Sequence, residues 1–334
     1  MNLAPHILAR GGWLSMAEFM EIALYDEQQG YYSARVQHIG YRGDFSTSAT
    51  QSDLLARRLV AHWRQACTAF GCTLPFIEFG GGNGDLALGI ARQLSFWERL
   101  RARYYMVDRS PGLRRLQAMV GGHFVRVYAT PEAALKHAGG KAFIFCNELP
   151  DAFPARQFTY RGGQWLELGL SVRDGQITEA ARPCPDLPES SAFRRWCTEG
   201  QVIEVHESYH RWYAQWQPHW QGGAFITIDY GEPNDTLYHR RPAGTLRGYL
   251  AHTLLSKEEI IATAGRCDIT ADVNFTDLQQ LAARNAGDLV QLCTQRDYLL
   301  PCVDPTNPAD AHLTAIPGAG DHFHVLTQHR FAQP

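Results

Sequence analysis

The chain of 334 residues has no long uninterrupted apolar run, no closely paired cysteines and little excess charge of either sign. A membrane-spanning helix needs roughly 20 apolar residues, and the opening MNLAPHILARGGWLSMAEF lacks the apolar stretch of a secretory signal. The eight cysteines are scattered without a C-x-x-C pair, which argues against both a zinc knuckle and a disulfide framework. We therefore predict no membrane insertion, no bound metal, reduced thiols and a cytoplasmic location.

The charges are nearly balanced, because 31 basic and 34 acidic residues leave a formal charge of −3. So small a net charge predicts no overall field that would attract nucleic acid or an anionic membrane. Small molecules and proteins remain as the predicted partners.

What the chain does have is a large apolar fraction, 45% of its residues, which is enough to bury a substantial core. Between residues 73 and 147, short apolar runs alternate with segments of helical periodicity. The runs are LPFIEF, RYYMVD, HFVRVY and AFIFCN. This alternation of strand and helix predicts an α/β fold with a doubly wound parallel sheet.

A glycine-rich turn, FIEFGGGNGDLA, follows the first of these strands and places Gly80, Gly82 and Gly84 before a helix. Glycines there let the backbone approach a nucleotide-like ligand, and the helix N-terminus offers free N–H groups. Gly82, Gly84 and Ala87 also satisfy the dinucleotide pattern G-x-G-x-x-A. Glu78, however, would repel a pyrophosphate and suit the cationic groups of S-adenosylmethionine, which we favour as the ligand.

The next strand, RYYMVD, ends at Asp108, at the interval where a carboxylate accepts hydrogen bonds from ribose hydroxyls. The alternative is that Asp108 caps the helix that begins in SPGLRRLQ. Ser110 fits that capping role better, because Pro111 then takes the first helical position.

Seven motifs occur in an order that resembles the MidA-like family of class I S-adenosylmethionine-dependent methyltransferases. They are GDFSTS, EFGGGNGDL, VDRSPGLRRLQ, NELPDAFPARQF, DYG, GTLRGY and DITADVNFTDL. The resemblance extends from ALYDEQQGYY to HFHVL, and the family includes a mitochondrial complex I assembly factor that methylates a protein arginine. It implies a Rossmann-like core, S-adenosyl-L-methionine as the cofactor, and a protein acceptor, with an arginine of a respiratory-complex-type protein as its target.

The resemblance also implies which residues surround the methyl donor. Glu78, with the glycines of the turn, would hold the methionine part and Asp108 the ribose. The remaining residues implied are Asp44, Thr47 and Ser48 in a loop closing over the donor, and Asn147 at the end of the fourth strand.

This sequence departs from the family pattern at three places in the donor site. Gly81 and Asn83 stand where the family usually has proline and arginine, and Asp108 stands for a glutamate. The segment after GTLRGYLAHT is less similar as well, and acceptor recognition is expected there.

Four segments follow from the motifs and from the helical patterns. Residues 1–70 form a helical N-terminal cover that includes the GDFSTS loop, and residues 71–180 form the donor-binding core. Residues 181–222 form a Trp-rich helical insertion that serves as a lid. Residues 223–334 supply further strands and helices that complete the sheet and the acceptor site.

Methyl transfer to arginine is an in-line displacement, so positioning of the reactants is the main catalytic task, worth up to ~7–11 kcal/mol. A guanidinium is held best by carboxylates that grip it as a fork. Glu148 and Asp151 in NELPDAFP are the candidates, because they follow the fourth strand. The alternative is that Glu148 pairs with an internal arginine and Asp151 caps the next turn.

A third group of family residues, Asp229, Tyr230 and Arg247, lies in the DYG and GTLR motifs. These residues either line the acceptor pocket or hold the C-terminal part of the chain through an Asp229–Arg247 ion pair.

The segment His206 to His210 reads HESYH, the H-E-x-x-H pattern of zinc hydrolases. The metzincin extension would need a glycine and a histidine where the sequence has Tyr213 and Trp216, leaving Glu232 as a distant third ligand. We therefore place both histidines on the solvated face of a helix.

The other face of that helix carries an aromatic stripe, which we expect to pack in the core. Its members are Tyr209, Tyr213, Trp216 and Trp220. The stripe could instead support a homodimer or a protein substrate.

The sequence thus predicts a methyltransferase that acts on a protein arginine. An NAD(P)-dependent oxidoreductase using the same glycine turn and a non-catalytic assembly factor are the two alternatives.

Overall fold

The computed structural model describes residues 1–35, 52–120, 122, 124–251, 253–285 and 287–331. The chain forms two compact units, each built from three segments. The first unit comprises Met1–Val36, Pro150–Trp212 and Glu232–Asp277; the second comprises Gln37–Leu149, Tyr213–Gly231 and Leu278–Pro334. The four segments predicted from the sequence were defined by their expected roles, whereas these two units are defined by compactness. The division into four segments therefore stays a prediction.

A mixed sheet organises the second unit. Its strands are β1 (Phe76–Phe79), β2 (Tyr104–Val107), β3 (Val125–Tyr128), β4 (Lys141–Asn147), β5 (Gly222–Glu232), β6 (Leu289–Thr294) and β7 (Phe323–Arg330), in the order β6-β7-β5-β4-β1-β2-β3. Strands β1 to β5 run parallel, and β7 lies antiparallel between β5 and β6. The strand order reverses between β1 and β4, which is the point where open α/β sheets bind ligands. The predicted doubly wound, Rossmann-like sheet is confirmed.

Helices cover this sheet because its central strands are buried along their whole length and need apolar partners on both faces. Trp63 shows the packing: its ring stacks on Phe76 with centroids 4.8 Å apart, and its indole N–H donates to the Leu74 carbonyl at 2.8 Å. The helices of this unit are Leu54–Phe70, Asp85–Gln93, Phe96–Arg101, Pro111–Val120, Pro131–His137, Gln295–Leu299, Pro308–Leu313 and Ala319–His322.

The first unit contains two antiparallel sheets. In one, the strands Trp13–Ser15, Gln164–Arg173, Arg156–Arg161 and Val202–Val205 are neighbours in that order, and Gln176–Pro183 also pairs with Gln164–Arg173. The other has the order Thr253–Leu255, Arg247–Leu250, Asp268–Thr270. The helices of the first unit are Ala4–Ala9, Met16–Tyr25, Ala192–Arg195, Asn234–Leu237 and Lys257–Ala262. Two further helices, Glu207–Trp216 and Phe275–Ala282, have residues assigned to both units.

Glu204 anchors the GTLRGY segment inside the first unit. Its side chain is 1% exposed and accepts hydrogen bonds from the Gln157 amide at 2.8 Å and the Thr245 hydroxyl at 2.9 Å. The backbone N–H of Thr245 also donates to this carboxylate, at 3.1 Å. A buried carboxylate with several donors fixes the loop that carries the family motif.

In the described part of the chain, no helix is both long and apolar enough to cross a bilayer.

Candidate functional site

The carboxyl ends of β4, β1 and β2 lie side by side in the second unit. The register places Phe79 beside Val107 on one side and beside Cys146 on the other. The residues that follow these three positions therefore meet at one edge of the sheet. They are Gly80, Asp108 and Asn147, and all three are among the donor-site residues predicted from the sequence.

The glycine turn after β1 needs glycine for its backbone conformation and for its close contacts. Gly80, Gly82 and Gly84 have φ angles of +70°, +53° and +89°, a region that residues with a side chain rarely adopt. A Cβ at Gly80 would lie 2.8 Å from the Leu149 side chain, and one at Gly84 would lie 2.8 Å from Val120. There is therefore no room for a side chain at Gly80 or Gly84. Because the turn carries no side chains there, its backbone can approach a ligand closely.

Glu78 lies directly beneath this turn. Its side chain is 4% exposed, and the Tyr104 hydroxyl donates a hydrogen bond to it at 2.7 Å. A Cβ at Gly81 would lie 2.8 Å from the Glu78 carboxyl oxygen, so this position has little room for a side chain. Burial, reinforced by the charges of Asp108 and Asp85, raises the pKa of Glu78 to about 7.

Asp108, which follows β2, is the second carboxyl of the site and is 8% exposed. The backbone N–H of Ser110 donates to it at 2.8 Å. Burial raises the pKa of Asp108 to about 6, although hydrogen bonds from Ser110 and Gln117 oppose the shift. The Ser110 hydroxyl caps the Pro111–Val120 helix by accepting from the Leu113 N–H at 3.2 Å, so Asp108 is not needed as that cap.

Gln117 is a site residue that sequence reasoning missed. It lies on the Pro111–Val120 helix with 0% exposure, and its amide nitrogen donates to the Gly82 carbonyl at 2.9 Å and to Asp108 at 3.0 Å. One side chain therefore joins the glycine turn to the Asp108 carboxyl. The residue belongs to the LRRLQ motif, but nothing in the motif indicates either contact.

Two buried carboxyls dominate the electrostatics beside the glycine turn, and the nearby Arg114 offsets only part of the upward pKa shift of Asp108. Within the described residues, neither Glu78 nor Asp108 forms an ion pair with a lysine or arginine, and the charge of Asp108 raises the pKa of Glu78. Two buried carboxyls of this kind would repel the pyrophosphate of a dinucleotide. They suit a ligand that brings an ammonium or sulfonium charge and hydroxyl donors.

Glu148, a predicted catalytic residue, follows β4 at the same edge of the sheet. It is half-buried, its N–H donates to the Ile228 carbonyl at 2.9 Å, and its carboxylate accepts from the Asn147 amide at 3.0 Å. Its φ is +53°, a conformation that costs a non-glycine residue about 1–2 kcal/mol. Strain of this kind clusters at functional sites, so Glu148 stays the candidate carboxylate for the acceptor.

Asp151, the other predicted catalytic residue, belongs to the first unit and is 6% exposed. Its carbonyl accepts from the Ala271 N–H at 2.9 Å. Burial and, to a smaller extent, the charges of Asp268 and Asp151 raise the pKa of Tyr32 well above its usual value. The Tyr32 hydroxyl donates a hydrogen bond to Asp268 at 2.6 Å. Asp151 thus lies in an acidic and aromatic neighbourhood of its own unit.

Three predicted donor contacts, Asp44, Thr47 and Ser48, lie outside the described residues. In the first unit Arg247 forms an ion pair with Asp272, which also pairs with Arg241 at 2.5 Å. The GTLR arginine therefore shares the Asp272 carboxylate with Arg241.

The HESYH segment does not place its two histidines on one helical face. The helix begins at Glu207, and His206 precedes it. The His206 ring is 7% exposed and stacks on Tyr209 with centroids 4.5 Å apart, and burial lowers its pKa to about 3. The prediction that His206 is solvated is wrong, because stacking on the aromatic stripe buries it.

The stripe itself is buried as expected, with Tyr213, Trp216 and Trp220 at 4%, 0% and 1% exposure. Among the residues the structure describes, no group of three or more histidine, cysteine or acidic side chains could hold a metal ion.

Residues 54–292 match the model of a family described as S-adenosyl-L-methionine-dependent methyltransferases. Protein arginine methyltransferase NDUFAF7, mitochondrial, of Danio rerio is 26% identical over 340 residues, covering 89% of this chain and 75% of the relative. The Homo sapiens protein of that name is 24% identical over 317 residues, covering 83% and 67%.

A crystal structure from Burkholderia thailandensis, regarded as a methyl transferase and bound to S-adenosyl-homocysteine, has a TM-score of 0.87 to this chain. It is 29% identical, and the match covers 99% of this chain and 92% of that one. The prediction of a cytoplasmic location is wrong by the same comparisons, because the curated relatives are named as mitochondrial proteins.

Proposed function

Because the chain belongs to the family of S-adenosyl-L-methionine-dependent methyltransferases, we propose that it transfers the donor's methyl group to an arginine of a protein. The family match and the neighbouring structure with bound S-adenosyl-homocysteine confirm the resemblance seen in the sequence and the predicted cofactor. We therefore set the oxidoreductase alternative aside. Support for a protein arginine comes from relatives of 24–26% identity that are named protein arginine methyltransferases. A subunit of a respiratory complex is the acceptor class that we propose.

The main support for the proposed donor site is the pair of buried acidic side chains, Glu78 and Asp108, beneath the glycine turn. When bound, S-adenosylmethionine supplies a methyl group made electrophilic by its sulfonium. Glu78 would take the donor's ammonium, Asp108 would accept from its ribose hydroxyls, and the turn from Gly80 to Gly84 would pass close to its chain. Gln117 would keep the Asp108 carboxylate and the Gly82 carbonyl in place.

The acceptor side of the proposal rests on Glu148. Its position after β4, at the edge shared with the glycine turn, suits a carboxylate that orients a guanidinium toward the donor. An ion-paired guanidinium is held with one nitrogen aimed at the methyl carbon. As that nitrogen bonds the carbon and the carbon–sulfur bond breaks, the nitrogen gives up one proton, which the Glu148 carboxylate would accept, and the donor is left as S-adenosylhomocysteine. Asp151, from its place in the NELPDAFP motif, is kept as a second candidate carboxylate on the sequence argument alone.

Two experiments test the function. The purified protein is titrated calorimetrically with S-adenosylmethionine and, in parallel, with NADH. It is then incubated with donor carrying a labelled methyl group in a lysate from cells lacking the gene, and labelled proteins are mapped by mass spectrometry. We expect micromolar donor binding, no NADH binding, and label on arginine nitrogen of a respiratory-complex protein.

Other outcomes would change the assignment. Label on lysine, histidine or a small molecule would reject the arginine acceptor, and donor binding without any transfer would favour a non-catalytic assembly factor. Binding of NADH alone would restore the oxidoreductase.

Gly84→Ala is expected to weaken donor binding by roughly tenfold, about 1.4 kcal/mol. The new methyl group would meet Val120 at 2.8 Å in a residue with φ +89°, so the turn and the start of its helix must shift. Isothermal calorimetry measures the affinity, and thermal unfolding measures the strain.

The matched control is Gly71→Ala. Gly71 has a φ of +63°, but no heavy atom lies within 4 Å of the place that an added methyl group would take, so the variant carries similar backbone strain without crowding. We expect it to lower stability by about 1 kcal/mol and leave donor affinity unchanged. Equal donor affinity in both variants would contradict the assignment of the turn.

A further inference from the structure

The short helix Phe96–Arg101 carries a compact group of apolar side chains that the protein leaves in solvent. Phe96, Trp97 and Leu100 are 67%, 66% and 65% exposed, and the two aromatic rings contact each other edge to face at 5.3 Å. Single exposed apolar residues are ordinary, but an adjacent tryptophan, phenylalanine and leucine form a patch of the kind that marks an interaction surface.

Helical geometry arranges these side chains in one arc. At about 100° per residue, Phe96, Leu100 and Trp97 span roughly 100° of the helix surface. Arg99 then falls on one flank of this arc and Arg101 on the other, and both are exposed. The helix therefore presents an apolar strip bordered on each side by a cation.

The orientation of the strip is fixed from the opposite side of the helix. Glu98 accepts two hydrogen bonds from Arg64, at 2.7 and 2.9 Å, and also forms the capping box with Ser95. These bonds lower the pKa of Glu98 to about 2, so the pair persists across the physiological range. Because Glu98 faces the protein, the apolar arc must face outward.

The local charge is strongly positive although the whole chain is close to neutral. Arg99, Arg101 and Arg103 are exposed within five residues, and the neighbouring Glu98 is already paired. A two-fold contact between copies would oppose these arginines to their equivalents, which disfavours a second copy as the occupant. An anionic partner matches the charge.

We propose that this surface, the Phe96–Arg101 helix with Arg103, docks peripherally on an anionic membrane. Tryptophan and phenylalanine rings settle at the level of the lipid headgroups, with leucine reaching the acyl boundary. Arg101 and Arg103 place their guanidiniums among the lipid phosphates, while Arg99, whose Nε donates to the Leu94 carbonyl at 3.0 Å, adds its charge at the border of the strip. A convex strip one helix wide suits a deformable lipid surface, whereas a protein partner would need a matching groove.

The test is flotation of the full chain with vesicles of phosphatidylcholine alone and of phosphatidylcholine mixed with phosphatidylglycerol. We expect binding to the anionic vesicles only, weakened by added salt. The combined variant Phe96→Ser, Trp97→Ser, Leu100→Ser should abolish flotation. Arg101→Glu and Arg103→Glu should each weaken it by roughly fivefold or more, since one arginine near an anionic surface contributes about that factor.

Leu254→Ser is the matched control, because Leu254 is 59% exposed on a strand of the other unit. It should float as the unaltered protein does. Donor affinity measured on every variant confirms that each one is folded, because the three apolar side chains lie outside the donor site.

The proposal is overturned if the unaltered protein binds neither vesicle, or if the triple variant floats equally well. It is also overturned if sedimentation velocity finds a dimer that the triple variant dissolves, since the strip then belongs to a second copy. These outcomes are independent of methyltransferase activity.

Discussion

Glu78→Gln is expected to weaken donor binding by roughly 10- to 100-fold while stabilising the donor-free protein above pH 7. The loss of affinity follows from removing a charged hydrogen-bond acceptor, which is worth about 1.5–3 kcal/mol. The glutamine keeps the contact with Tyr104, because its carbonyl oxygen can accept the hydrogen bond that the hydroxyl now donates at 2.7 Å.

The gain in stability follows from the direction of the pKa shift. The pKa of Glu78 rises from 4.5 to about 7 in the folded protein, so its favourable contribution is complete below pH 4.5 and is lost as the pH rises through 7. At pH 8 the buried carboxylate therefore costs up to about 3 kcal/mol that a neutral amide does not. Thermal unfolding of the donor-free proteins at pH 5 and pH 8 measures the difference, which should be several times larger at the higher pH.

The same pKa makes donor binding depend on pH. A cationic donor binds the ionised form of Glu78, and the ionised fraction increases roughly eightfold between pH 6 and 7.5 for a pKa of about 7. Affinity should rise by that factor in the unaltered protein and remain much flatter in Glu78→Gln. Proton release on binding, measured by calorimetry in two buffers of different ionisation enthalpy, checks the same point.

Glu204→Gln is the control with the opposite expected sign. Glu204 is also buried, but the side-chain amide of Gln157 and both the N–H and the hydroxyl of Thr245 converge on its carboxylate. An amide there would set its own N–H groups against those donors, so the protein should lose stability while donor affinity stays unchanged. If Glu78→Gln instead lost stability and kept its donor affinity, as expected for Glu204→Gln, the assignment of Glu78 to the donor site would be wrong.

The parallel sheet of the second unit could be predicted because its strands are buried on both faces and read as continuous apolar runs. FIEF, YYMV and FIFC each fall inside an observed strand. Residues at the ends of such strands must meet at one edge, so the positions of Gly80, Asp108 and Asn147 could be predicted from the sequence, and the family resemblance added Glu78, which lies within the first strand.

The first unit was harder to predict, since its strands are antiparallel and only partly buried. Gln176–Pro183 is mostly exposed and has no apolar run, so its pairing with Gln164–Arg173 depends on the hairpin rather than on a pattern of its own. The contacts of Gln117 and the burial of His206 were missed for a related reason. A polar residue with a partner 35 residues away, or a histidine buried by stacking, shows no local signal.

Glu148→Gln is expected to lower turnover by about a hundredfold or more with little change in donor affinity, since a positioned carboxylate contributes roughly 10²–10⁴ in rate. The amide retains the shape of the side chain and, through its carbonyl oxygen, the contact with Asn147. It loses the charge that would hold a guanidinium. Transfer of labelled methyl to the acceptor, with donor affinity measured separately, distinguishes the two effects.

Glu148→Gly separates the backbone from the carboxylate. Because glycine adopts φ +53° without strain, this variant should be more stable by about 1 kcal/mol and yet nearly inactive. Full activity in either variant would return Glu148 to a structural role. A gain in stability joined to a loss of turnover is the result expected where strain is retained because the side chain is needed for the reaction.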